Sequence, residues 1–241
     1  MAIKICLDAG HYGKYNRSPA IPEYYESEMN WKLHLLLKAA LESYGFEVTT
    51  TRPDPEKDLS LEKRGKASAR CDLFLSLHSN AVGGSAGGNG MNENVDYVVA
   101  YVMLDGSTTA LGEKLVACVT EAMATKQAPH IKTREGSRGE YYGVLRGAAA
   151  VGTPGIILEH SFHTNTRSTK WLLEDSNLAK LAKAEAKVLA DHYGISKPVA
   201  DDKTIYRVQI GAYSKLENAE RQLDKAKKAG FTDAFIAASE G

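Results

Sequence analysis

The sequence predicts an α/β fold: a largely parallel sheet flanked by helices on both faces, followed by a small C-terminal βαβ fragment. Three observations carry this prediction. Short apolar runs of strand length alternate with longer stretches of helical periodicity through residue 195. One run, Asp72-Leu-Phe-Leu-Ser-Leu-His78, is almost continuously apolar, as in a strand covered on both faces. After residue 195 the composition turns polar, and a single further strand–helix–strand pattern follows.

The elements can be taken in order. Ile3, Ile5 and Leu7 alternate with polar or small neighbours, a period-two strand that stops at Asp8-Ala-Gly-His11. Beyond a proline-bearing loop, Leu33, Leu37, Leu41 and Tyr44 hold one face of a helix ending at Gly45. Phe46, Val48 and Thr50 start a second strand, and Ser60 suits the N-cap of a short helix through Arg70. The buried strand ending at His78 comes next. Residues 79–94 are rich in glycine and asparagine and predict a loop. A strand over Tyr97–Leu104, a helix from Ser107 to Lys126 and a basic loop around Lys132–Arg138 follow. Gly155–Glu159 is a short apolar strand, and a helical stretch from Ser168 closes at Gly194. Residues 1–195 thus form a catalytic-size domain and 196–203 a linker. Residues 204–241 supply a strand at Tyr206–Tyr213, a helix at Leu216–Ala229 and a strand from Phe231.

Bulk properties narrow the function classes. Thirty Lys and Arg balance thirty Asp and Glu, so no global field marks a nucleic-acid partner. The three cysteines, Cys6, Cys71 and Cys118, are odd in number and widely spaced, which favours buried thiols and a reducing compartment over a disulfide framework. The opening MAIKICLDAG enters a strand at once and lacks the apolar core of a signal peptide. No apolar run approaches the ~18 residues of a membrane span, so no membrane insertion is expected. The chain is expected to be made in the cytoplasm, and a substrate outside the cell would require another route of release.

Three polar residues fall where strands stop: His11, His78 and Glu159. In an open α/β sheet the crevice beyond the carboxyl ends of the strands is where ligands bind, so parallel strands would bring all three to one rim. Two histidines and a carboxylate suit a catalytic zinc with a fourth position left for water. A second carboxylate outside the ligand set can move the proton. A lone histidine at a strand end is more often a hydrogen-bonded polar residue than a ligand, and it is the set of three at one edge that favours a metal.

The segments Asp8-Ala-Gly-His11, Thr51-Arg52, Ser76-Leu-His-Ser-Asn80 and Leu158-Glu-His-Ser-Phe162 with Asn165 resemble the N-acetylmuramoyl-L-alanine amidases of the amidase 3 family. They occur in family order and span residues 1 to about 195. The resemblance implies a twisted sheet flanked by helices, with Zn2+ held by His11, Glu26 and His78. It also implies Glu159 as the catalytic carboxylate, acting on the bond between N-acetylmuramic acid and L-alanine in peptidoglycan. Glu23 and Glu28 lie close to Glu26, but the family spacing to Asn30 and Gly45 selects Glu26; Glu28 otherwise reads as a helix N-terminal acid. Two positions depart from the pattern. Tyr12 and Gly13 replace a second glycine after His11, and His160 stands where a small residue is usual; it is expected to point into a polar neighbourhood.

Arg52 and Arg64 read as structural ion-pair partners. Arg134, Arg138 and Arg146 suit either muropeptide carboxylates or a solvated loop. His34, His130, His163 and His192 show no partner pattern. In the tail, Tyr206–Tyr213 with Asn218-Ala-Glu220 and Gly230-Phe231 resembles the first half of a SPOR repeat, which implies binding to glycan strands stripped of stem peptides. The resemblance also implies a lytic enzyme of the phage endolysin or mother-cell type, reaching the wall when the membrane fails. Two rivals stay open: a zinc peptidase cutting within the stem peptide, and an inert wall-binding protein. A third, an intracellular hydrolase of small amides, is opposed by the repeat-like tail.

Overall fold

The computed structural model describes residues 2–82, 90–196, 209–232 and 234–238. The chain divides into two compact units, Met1–Pro198 and Val199–Gly241. In the first, the chain runs β1 (Lys4–Ala9), α1 (Glu26–Glu42), β2 (Glu47–Thr50), α2 (Leu61–Lys66), β3 (Leu73–Asn80) and β4 (Val99–Val102). It continues through α3 (Thr109–Met123), β5 (His130–Lys132), a hairpin of β6 (Glu135–Gly136) and β7 (Gly139–Glu140), and α4 (Gly143–Ala149). β8 (Gly155–Phe162), α5 (Thr166–Leu173) and α6 (Asp175–His192) complete it.

Six strands form one sheet in the order β2-β1-β3-β8-β4-β5. β2, β1, β3 and β8 are parallel, whereas β4 runs antiparallel to β8 and carries β5 parallel to itself. Strand period sorts the core into two layers. Ile5, Leu7, Leu75, Leu77 and Leu158 pack with α1, α3 and α6 on one face. Cys6, Phe74 and Ile157 pack with Val144, Leu145 and Ala148 of α4 on the other. β1 pairs with β2 on one side and β3 on the other, so the strand order reverses at β1 and a crevice opens beyond the ends of β1 and β3.

Several expectations are corrected. β8 does not stop at Glu159 but continues to Phe162, because an irregularity in its pairing with β3 lets the ladder resume at Asn80↔Phe162. The predicted loop around 132–138 starts on the last residue of β5 and holds β6, whose hairpin partner β7 follows it, and α4 was not anticipated. The single helix from Ser168 is two helices, broken where Glu174 adopts an extended backbone. Ser60 does precede α2, but its side chain makes no capping bond, and α2 ends at Lys66. Residues 83–89 of the predicted loop and 197–203 of the predicted linker lie outside the described residues.

In the second unit, described from residue 209, the regular element is α7 (Leu216–Lys228). The predicted strand at Tyr206–Tyr213 lies partly outside the described residues, and its described part, like the stretch from Phe231, is not paired. A strand needs a neighbour for its N–H and C=O groups, and a two-stranded fragment is marginal at best. Ile210, Tyr213, Phe231 and Phe235 remain exposed. Among the described residues no helix is long and apolar enough to cross a membrane.

Candidate metal centre

The crevice beyond β1 and β3 is assembled by three segments. β1 delivers Gly10 and His11, β3 delivers His78, and the first turn of α1 delivers Glu26. The loop between β1 and α1 folds back to cap that turn. Glu26 N donates to Asn16 O at 3.0 Å, and Ser27 Oγ donates to Gly13 O at 2.6 Å. Glu26 is thereby fixed at the helix start and aimed at the sheet edge.

Its carboxylate bridges the two histidines. Oε2 lies 3.2 Å from His11 Nε2, and Oε1 lies 2.8 Å from His78 Nδ1. Asn16 Nδ2 donates to Oε2 at 2.6 Å and Ser79 N to Oε1 at 3.1 Å. Asn30, one turn along α1, reaches Oε1 at 3.5 Å and Gly10 O at 3.3 Å. Burial acts to raise the Glu26 pKa, but the charge of His11 and the hydrogen bonds from both histidines outweigh it and hold the carboxyl well below the usual range. Donor atoms of His11, Glu26 and His78 lie within 4.8 Å of one another. Glu28, by contrast, is exposed on the far side of the turn.

His11 takes a left-handed backbone, φ 60°, which is uncommon outside glycine but tolerated by histidine. The surrounding structure enforces it. Gly10 N donates to Leu77 O at 3.1 Å, and Arg64 Nη2 donates to His11 O at 2.8 Å. Arg64 also pairs with the buried Asp8 (3.3 Å) and with Asp58 (2.9 Å). Among the described residues Arg52 forms no ion pair, contrary to expectation; it donates to Ala9 O (2.8 Å) and to the carbonyls of Asp54, Pro55 and Lys57. Both arginines therefore brace the loop that carries His11. Arg146 is likewise committed, donating to Glu62 Oε1 at 2.9 Å and to the carbonyls of Glu140 and Tyr141. Arg134 stacks on Tyr141, 3.5 Å from the ring centre.

Glu159 faces His78 across β3 and β8 and is in register with it. It contributes no atom to the His–Glu–His cluster. Its Oε2 is sealed from solvent without a hydrogen-bond partner. Burial, and then the negative charge of Glu26, push its carboxyl well above the ordinary range. An open cleft of about 370 Å³ leads to this edge, bordered by Asp8, His11, Tyr12, Tyr15, Leu61 and His78. Tyr15 stacks on His11 with ring centres 5.1 Å apart, and Tyr12 continues the stack at 6.0 Å.

Three contributors were not read from the sequence as parts of this site: Asn16, Ser79 and the pair His160–Glu185. His160, expected in a polar neighbourhood, is fully buried and bonded to the His78 carbonyl and to Glu185. His163 also has partners after all, at Ser79 O and Oγ.

A family model described as N-acetylmuramoyl-L-alanine amidase matches residues 5–191. The chain belongs to that family. The amidase match holds His11, Glu26, His78 and Glu159, and a SPOR domain model matches residues 176–238, overlapping it along α6. The amidase is 27% identical over 238 residues to the N-acetylmuramoyl-L-alanine amidase CwlM of Bacillus licheniformis, covering 97% of this chain and 84% of that one. It is 25% identical over 233 residues to the sporulation-specific N-acetylmuramoyl-L-alanine amidase of Bacillus subtilis (strain 168), covering 95% and 82%. Its fold matches the catalytic domain of the amidase CwlV from Bacillus (Paenibacillus) polymyxa var. colistinus. That match has a TM-score of 0.66 at 18% identity and covers 80% of this chain and 99% of that one.

Proposed function

We propose that the amidase hydrolyses the amide between the lactyl group of N-acetylmuramic acid and L-alanine in peptidoglycan, using a zinc ion held by His11, Glu26 and His78. The observation that carries this reading is Glu26 presenting one oxygen to each histidine. Donor atoms of His11, Glu26 and His78 lie within 4.8 Å of one another, close enough to be shared by one metal ion. Two imidazoles and a carboxylate are also the donor set of catalytic zinc sites that keep one position open.

Zinc bound there supplies Lewis-acid polarisation of the scissile carbonyl and makes water acidic enough to attack at neutral pH. Glu159 is assigned the proton transfer: it would take a proton from the attacking water and give it to the departing alanine nitrogen. Its raised pKa makes it a better proton acceptor than an ordinary carboxylate. Asn16, Asn30 and the Ser79 N–H hold the ligand carboxylate, while Arg52 and Arg64 hold the His11 loop. The SPOR-like tail serves to keep the amidase on glycan strands, and the enzyme meets its substrate after the membrane barrier is lost.

Digestion of purified peptidoglycan tests the reading. New L-alanine amino termini, with no new reducing sugar ends, are expected. New termini within the stem peptide would make the enzyme a peptidase instead.

A further inference from the structure

Behind the candidate metal centre lies a buried pair that the reaction as described does not use. His160 and Glu185 are both fully buried, and His160 Nε2 lies 2.9 Å from Glu185 Oε1. On its other side, His160 Nδ1 lies 2.9 Å from the His78 carbonyl oxygen. A carbonyl can only accept, so Nδ1 carries a hydrogen. The Nε2–Oε1 contact then needs a proton of its own, on one atom or the other, and the pair as a whole is net neutral.

The His78 carbonyl and the Ser79 N–H are the two ends of one peptide unit. Ser79 N donates to Glu26 Oε1 at 3.1 Å. An unbroken hydrogen-bonded chain therefore runs from Glu185 on α6, through His160 and the His78–Ser79 peptide, to the carboxylate of Glu26. From the geometry of this chain we infer that His160 and Glu185 are positioning residues for the metal centre. They lock the plane of the His78–Ser79 peptide, and so fix both the ring of His78 and the N–H that orients Glu26. Donation to the carbonyl also polarises the peptide and strengthens its N–H as a donor.

The local backbone is built for this contact. Between the pairs His78↔Glu159 and Asn80↔Phe162, β8 contains one more residue than β3, and Ser161 takes a positive φ of 58°. Strand alternation sends Glu159 and His160 to opposite faces of the sheet, and at the irregularity His160 meets the neighbouring strand's carbonyl. Stability alone gives no reason for Glu185. Its Oε2 is buried without a partner, and an unsatisfied buried group costs about 1–3 kcal/mol. An apolar side chain at this position on α6 would avoid that cost.

The inference rests on the zinc reading above, and the test separates the two. Zinc affinity of the full chain is measured by competition with a chromophoric chelator, and thermal stability of each metal-free variant is measured in parallel. His160→Phe and Glu185→Met keep volume and remove the bonds. Each is expected to weaken zinc binding 10- to 100-fold, the usual effect of losing a partner of a ligand. Glu185→Gln, whose amide can donate to Nε2, is expected to stay within about threefold of wild type. The double variant His160→Phe/Glu185→Met removes both members of the buried pair, leaves only the His78 carbonyl without its donor, and is expected to keep the fold; it must still lose zinc affinity. Leu189→Ala, on the same helix, should lower thermal stability and leave zinc affinity unchanged. Wild-type zinc affinity in the double variant, or affinity that merely tracks stability through Leu189→Ala, overturns the inference. Wild-type affinity in His78→Ala would instead overturn the metal assignment beneath it.

Discussion

The imidazole of His78 fills the space that a side chain on Gly10 would need: a Cβ built on Gly10 falls 2.3 Å from Cε1 and 2.4 Å from Nε2. The close approach explains why glycine precedes His11 more simply than backbone freedom does. Gly10→Ala must displace the His78 ring or the strand. Overpacking of this kind costs about 1–3 kcal/mol, and the displaced ring can no longer share a ligand geometry with His11. We expect zinc content well below one per chain and activity reduced at least a hundredfold, read by metal analysis and turbidity loss of cell walls. Normal zinc content in a folded Gly10→Ala variant would show that His78 is not a ligand.

Glu26 and Glu28 share one helical turn but not one environment. Glu26 is 2% exposed and bonded to both histidines, while Glu28 faces solvent. Glu26→Ala should therefore lose zinc, whereas Glu23→Ala and Glu28→Ala should bind it as wild type does. Metal analysis after dialysis distinguishes the three, and loss confined to Glu28→Ala would reverse the assignment.

Glu159→Gln keeps the shape of the side chain and removes the base. A positioned general base contributes about 10²–10⁴-fold, so turnover should fall by that order while zinc stays bound. Zinc content and released L-alanine termini are measured on one sample. Simultaneous loss of zinc would make Glu159 a ligand, and near-normal turnover would remove it from the mechanism.

His34 provides a pH-dependent term unrelated to catalysis. It is 1% exposed on α1, beside the Trp31 carbonyl, and burial pushes its pKa down from 6.5 to about 4. The folded state thus binds this proton less readily than the unfolded chain. Stability is unaffected above pH ~6.5, declines as the pH falls towards 4, and levels off below it. The decline amounts to about 3 kcal/mol at 1.36 kcal/mol per unit. Urea unfolding of wild type and His34→Leu at pH 7 and pH 4 checks this: the variant should lose less stability by about that amount. Equal losses would show that His34 titrates normally in the fold.

Much of the site was legible because its residues interrupt apolar strands. His11 and His78 follow runs whose burial is complete, so a polar residue there needs a purpose. Glu26 was less accessible, since three glutamates crowd the helix start and only the family spacing to Asn30 and Gly45 separates them. The largely parallel sheet was legible, but the antiparallel direction of β4 was not. The β-branched run that forms β4 has the same composition whether it lies parallel or antiparallel to β8. α4 escaped notice because Gly143 and Gly147 read as helix breakers. Both are packing devices: a Cβ on Gly147 would fall 2.3 Å from Glu62 O, and one on Gly143 would fall 2.7 Å from Leu61 Cβ, so α2 and α4 can meet only across glycines. His160 and Glu185 are 25 residues apart on different elements, a pairing that no local period reports.

Glu159 is gripped by strands on both sides, in register with His78 of β3 and Val99 of β4, whereas His11 hangs from a loop braced by side chains. The proposed base and the proposed ligand therefore rest on backbone of unequal permanence. Amides near the middle of a central strand exchange only on global unfolding, and loop amides exchange through small local openings. If zinc is held as proposed, its withdrawal is expected to be felt in amide exchange of the segment from His11 to Asn16 before it is felt at Glu159.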